Sequence, residues 1–143
     1  LTRGMYEDAK AAALRYQDIF GKGNFFLELQ DHGIPEQQNV NQQLLKMHRE
    51  TGIELVATND VHYTLAEDAQ PHDVLLCLQT GKKLSDENRM RYDGGQYYVK
   101  SPEEMERLFP YATEALENTH KIAERCHVEI EFGVTKLPKF DVP

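Results

Sequence analysis

Apolar positions recur along this chain at two spacings, and the alternation between them lays out its elements. In MYEDAKAAALRYQDIF (5–20), Met5, Ala9, Ala13 and Tyr16 fall on one face, with Phe20 a turn further on. That pattern predicts an amphipathic helix stopped at Gly21. NFFLELQ (24–30) switches to a period of two, with Phe25, Leu27 and Leu29 on one side and Phe26, Glu28 and Gln30 on the other. It reads as a short strand. HGIP breaks it, and Pro35 stands where a first helical turn tolerates a missing amide. Val40, Leu44 and Met47 or Leu45 return to helical spacing, with Gly52 as the expected stop. IELVAT (53–58) is apolar and β-branched, as a covered strand requires. Strand, helix and strand with short joints make a βαβ unit, whose connection demands parallel pairing.

The remainder is more mixed. LAEDAQPHDVLLCLQTG predicts a helix from about Glu67, with Pro71 in its first turn and Gly81 past its end. KKLSDENRMRYDGG is a polar connection, and QYYVK a short strand. In SPEEMERLF, Ser101 is the expected N-cap, Pro102 the first helical residue and Glu104 the closing member of a capping box. Thr113 is a second expected N-cap, opening EALENTHKIAERC with Leu116, Ile122 and Cys126 or Ala123 inward. EIEFG is a candidate edge strand, and KLPKFDVP resembles a linker.

Composition narrows the class. The chain has 143 residues, 40% hydrophobic and 28% charged, which fits a globular domain with its own core. No apolar run approaches the length of a bilayer span, so no membrane is expected. Cys77 and Cys126, far apart and without a Cys-x-x-Cys pairing, read as buried thiols in a reducing, cytoplasmic setting. A net charge of −8 argues against this chain binding nucleic acid alone, because phosphate contact needs clustered Lys and Arg. Opening at LTRGMYEDAK without an initiator Met and closing at KFDVP, it is expected to be a piece of something larger.

One stretch carries candidate chemistry. ATNDVHY (57–63) follows the second strand, at the strand end where parallel α/β folds gather their functional loops. Residues two apart in extended chain point the same way, so Asp60 and His62 could offer an oxygen and a nitrogen to one metal ion. The plainer alternative is that Asn59-Asp60 turns the chain and His62 is simply hydrogen-bonded. Two ligands are in any case too few, since a site needs three or more. His32, in the turn QDHG after the first strand, is placed to reach the same crevice, but a turn role suits it better. Glu28 could pair with Asp60 as acid and base only if the fold brings them together. His72 and Asp73 lie in a helical first turn, and His48, His120 and His127 carry no assignment. There is no phosphate-binding glycine loop, nucleophile elbow or zinc-finger pattern.

Longer phrases say more than any motif. FGKGNFFLELQDHGIPEQ, ELVATNDVHYTLAEDAQPHDVLLCLQTGKK, YYVKSPEEMERLF and ALENTHKIAERCHVEIEFG leading to KLPKF cover nearly the whole chain. In that order they resemble the alpha subunit of bacterial DNA polymerase III, the replicative polymerase, in the C-terminal part of its N-terminal PHP (polymerase and histidinol phosphatase) domain. The resemblance implies an α/β fold: a partial distorted β/α barrel of PHP type over residues 1–100, then a helical segment over 101–143 leading toward the palm.

For the site, the resemblance implies that Asp60 and His62 bind a divalent metal, zinc or manganese, in the intact parent. Some family members replace this His; here it stands. The other ligands would lie upstream of Leu1. The metal would serve a 3′–5′ exonuclease or stiffen the polymerase, while magnesium and the catalytic carboxylates belong to the palm, outside this chain. Implied partners are primer-template DNA, deoxynucleoside triphosphates and other replicase subunits, with self-association of the isolated piece through uncovered apolar surface. A free-standing PHP phosphoesterase and a noncatalytic interaction module are the alternatives.

Overall fold

The computed structural model describes residues 1–138. Its centre is a parallel pair, β1 (Leu27–Leu29) and β2 (Leu55–Ala57), joined by α2 (Pro35–Thr51). Leu27 lies opposite Leu55 and Leu29 opposite Ala57, and all four are buried. The βαβ unit read from the spacing is therefore present. Its strands are shorter than the apolar runs suggested, because pairing ends where each chain turns away. A barrel of several strands does not follow from these residues: among those described, the sheet has two strands.

α1 (Tyr6–Phe20) ends at Gly21, whose φ of 87° favours glycine, and α2 ends at Gly52 in the left-handed conformation. Along α1 only Ala13 is buried; Met5, Tyr16 and Phe20 are exposed, so the expected face is rotated toward Tyr6, Ala9 and Ala13. Tyr6 Oη and Lys10 Nζ both donate to Glu50 at the far end of α2, at 3.0 and 2.7 Å. On α2, Leu44 and Met47 face the sheet as expected.

After β2 come one 3-10 turn (Ala66–Asp68), α3 (Ala69–Thr80), α4 (Pro102–Leu108) and α5 (Thr113–Arg125). α5 lies on β2, and Phe109, Ala112 and Ala115 join Leu27, Leu29, Met47, Ile53 and Leu55 in one core. Two buried asparagines fasten helices to backbone in a strand or just past its end. Asn41 Nδ2 donates to the Gln30 carbonyl at 2.9 Å, and Asn118 Nδ2 to the Leu55 carbonyl at 2.7 Å. The Glu54 carbonyl already accepts from Leu27 N, so that of Leu55 points to the open edge of the sheet. A buried carbonyl there needs a partner, and Asn118 supplies it. None of the described helices is long and apolar enough to cross a membrane.

The capping box forms as expected: Ser101 N donates to Glu104 at 2.7 Å and Glu104 N to Ser101 Oγ at 3.3 Å. Ser101→Ala should cost about 1 kcal/mol in thermal unfolding.

Five expectations need correction. Thr113 is the first helical residue of α5 rather than its cap, because the chain enters the helix one residue earlier, at Ala112, where no side chain caps it. QYYVK is not a strand; it faces an irregular loop and keeps a single parallel bridge, Tyr63 with Tyr98. EIEFG forms no strand either, since it has no neighbour among the described residues to take its backbone bonds, and Val128, Ile130 and Phe132 stand exposed. Cys77 is buried but Cys126 is exposed, because α5 ends at Arg125 and the chain leaves the core. The inward face of α5 is accordingly Ala115 and Asn118 with Leu116 and half-buried Ile122, not Cys126 or Ala123. Part of the KLPKFDVP stretch, residues 139–143, lies outside the described residues.

Candidate functional site

The chain leaves β2 through Thr58, whose amide still reaches the Leu29 carbonyl at 3.0 Å. Asn59 is buried, and its amide nitrogen donates to the carbonyls of Gln96 and Tyr98, at 3.0 and 2.7 Å. Asp60 then takes a left-handed conformation with φ 45°, alone among the described non-glycine residues. Asp is one of the few side chains that visit this region, and such residues gather at functional loops. The extended-chain reason for pairing Asp60 with His62 therefore fails. A bend at Asp60 brings them together instead, with Asp60 Oδ2 3.9 Å from His62 Nδ1.

His62 is held by both its backbone and its ring. Its amide donates to the Tyr97 carbonyl at 2.8 Å. Ring Nδ1 lies 2.6 Å from the Asp60 carbonyl oxygen, which can only accept, so Nδ1 carries the hydrogen. That tautomer leaves Nε2 with the lone pair, the arrangement of a metal-binding imidazole whose other nitrogen donates to a carbonyl. Asp60 adds a half-exposed carboxylate. As donors, both fit a divalent metal of the kind the PHP resemblance implies. They do not close a site by themselves: among the described residues, no three His, Cys, Asp or Glu side chains are arranged to hold an ion.

His32 does reach this crevice. It is 3% exposed, its Nε2–H donates to the Asn59 carbonyl at 3.0 Å, and its Nδ1 accepts from Gln37 Nε2 at 2.9 Å. Both nitrogens are used, so His32 has no lone pair for a metal and serves to join two loops. The turn reading also holds, for Gly33 N donates to Asp31 at 2.9 Å. Glu28 is engaged on the sheet, accepting from Thr58 Oγ1 at 2.5 Å and from Gln30.

Aromatic rings wall the other side. His62 packs on Tyr92 with centroids 4.2 Å apart, and His72 stands 5.6 Å from His62 and 5.2 Å from Tyr92. Tyr97 is stacked on His32 at 4.0 Å and meets Tyr92 edge-on at 4.9 Å. Burial, and secondarily the Asp60 charge, raises the Tyr97 phenol above its ordinary value. Spacing missed Tyr92, Tyr97, His72 and Asn59. RYDGGQYY has no periodicity, and a loop that crosses another loop leaves no sequence signal beyond its aromatic content.

The loop bearing Tyr92 is pinned to α3. Arg89, with 3% of its side chain exposed, grips Asp73 in a two-pronged pair at 2.5 and 2.6 Å. The Arg89 hydrogen bonds hold the Asp73 carboxyl below its usual range. A depressed carboxylate contributes stability above the ordinary Asp value, about 3.9, and loses it as pH falls through the lower folded value. Amide exchange over residues 82–95 should therefore accelerate below about pH 4, and Arg89→Leu should abolish that acid step.

No protein-family model matches the chain. It is similar to DNA polymerase III subunit alpha of Campylobacter jejuni, 44% identical over 135 residues, which is 94% of this chain and 11% of that protein. The subunit alpha of Borreliella burgdorferi is 47% identical over 139 residues, 96% of this chain and 12% of the relative. That of Treponema pallidum is 41% identical over 143 residues, the whole chain and 12% of the relative. The chain thus spans about a tenth of the length of the curated relatives it matches.

Proposed function

We propose that this chain, a sequence relative of one stretch of the DNA polymerase III alpha subunit, is that stretch of a replicative polymerase. The observation that supports this is similarity over 94–100% of the chain to relatives that share one name. In our reading residues 1–100 are the later part of a PHP domain and 101–143 lead toward the palm. The parent adds nucleotides to a primer 3′ end, on template DNA, with deoxynucleoside triphosphates, magnesium and other replicase subunits in the cytoplasm. That chemistry lies outside this chain.

Within it, Asp60 and His62 supply two donors, Oδ and Nε2, to a zinc or manganese ion whose other ligands come from the rest of the parent. Such an ion would supply charge stabilisation and an acidified water. Here Asp60 offers its carboxylate, His62 is oriented by the Asp60 carbonyl, and His32 and Asn59 hold the loop against the 96–98 segment.

The test is an assay of the full-length protein that contains this stretch. Template-directed primer extension is expected from it, and none from the 143-residue chain. A short parent that hydrolyses phosphate monoesters and extends no primer would overturn the proposal in favour of a free-standing phosphoesterase. His62→Ala in the full-length protein then sorts the metal's role. Lost 3′–5′ hydrolysis at an unchanged melting temperature assigns an exonuclease, and a lowered melting temperature alone assigns a stiffening ion.

A further inference from the structure

The bond from Nδ1 to the Asp60 carbonyl selects the His62 tautomer only while the ring keeps the plane in which that bond is made, and a ring free to turn about its side-chain bonds would lose both. Among the described residues the ring nearest His62 is Tyr92, tilted by 44° at 4.2 Å; Tyr97 and His72 stand more than an ångström further off, at 5.8 and 5.6 Å. Tyr92 itself is braced. Its ring meets Tyr97 at a right angle, Tyr97 is 8% exposed and stacked within 13° of parallel on the buried His32, and the Tyr97 carbonyl takes the amides of His62 and Tyr63. Upstream, the same loop is anchored three residues earlier by the Arg89–Asp73 pair.

We infer that Tyr92 is a positioning residue: its ring sets the plane of the His62 imidazole and so the direction in which Nε2 is offered. The inference rests on the reading of His62 as a metal ligand, but the ring geometry stands apart from it. A tyrosine ring in a long, irregular loop is held in place only where the loop is tied, and here it is tied on both sides of Tyr92. The phenol oxygen has no part in the argument; the ring face does. Tyr92→Phe should therefore preserve the effect and Tyr92→Ala should remove it.

The first readout is the nitrogen spectrum of the His62 ring in this chain, recorded without metal at about pH 8. Wild type and Tyr92→Phe should show a single tautomer with the hydrogen on Nδ1, and Tyr92→Ala a mixture. The second is zinc affinity of the full-length protein by chelator competition. Tyr92→Ala should weaken it by about 10–100-fold, as loss of a ligand's supporting shell does, with Tyr92→Phe near wild type. An unchanged His62 tautomer in Tyr92→Ala overturns the inference, as does a Tyr92→Phe as impaired as Tyr92→Ala. If instead His62→Ala leaves zinc binding untouched while Tyr92→Ala scrambles the tautomer, the positioning role stands and the metal reading falls.

Discussion

Phe109→Ala will lower the unfolding free energy of this chain by about 3–5 kcal/mol. Phe109 is fully buried at the end of α4 and is the bulkiest of the side chains so placed. It touches a core that includes both strands, Met47 of α2 and Ala115 of α5. Truncation therefore opens a cavity at the junction of the βαβ unit with the two helices that follow it. Small neighbours such as Ala112 and Ala115 cannot swing in to fill it. Urea denaturation followed by circular dichroism would read the loss, and Phe109→Leu should lose much less. A wild-type midpoint for Phe109→Ala would mean that α4 and α5 do not share the core of the strands.

His32→Leu is the second large effect. The substitution keeps the volume but strands the buried Asn59 carbonyl and the Gln37 amide, and the first of these alone costs about 1–3 kcal/mol. The loss of the parallel stack on Tyr97 adds to it. The consequence is local as well as global. Asn59 is one residue from Asp60, so the loop that offers the two donors should lose order with it. Amide exchange at residues 59–64 and 96–98 would report that, and unchanged protection there would contradict the role given to His32.

Much of the frame was legible in the residues. Gly21, Gly52 and Gly81 end their helices, Pro35 and Pro102 begin theirs, and the βαβ unit follows from two apolar runs around one helical one. These are local signals, written in neighbouring residues. What escaped was non-local. Asn41 and Asn118 are ordinary polar helix residues until a strand carbonyl needs a donor. QYYVK has strand composition, yet the segment beside it is the irregular ATNDVHY loop, so pairing stops at one bridge.

For the candidate site the outcome is mixed in the same way. Asp60 and His62 stand out because they lie two apart directly after the second strand, where parallel α/β folds gather their functional loops. The reason given for their convergence, two residues apart in extended chain, was not the one found, since Asp60 is left-handed. His32 reaches the crevice, and its two hydrogen bonds make it a brace. Tyr92 and His72 come from a loop and a helix whose placement depends on the Arg89–Asp73 pair, a contact no spacing announces.

Under the proposed function Asp60 and His62 are two members of a ligand set this chain does not complete. The decisive measurement is metal content after incubation with zinc or manganese and desalting, on the chain, on the full-length protein and on Asp60→Asn and His62→Ala of each. Almost no metal is expected on the 143-residue chain and on both its variants. The full-length protein is expected to hold metal that either substitution reduces. Stoichiometric metal on the chain alone, lost in both variants, would contradict the shared ligand set, because the remaining ligands would then have to be found within these residues.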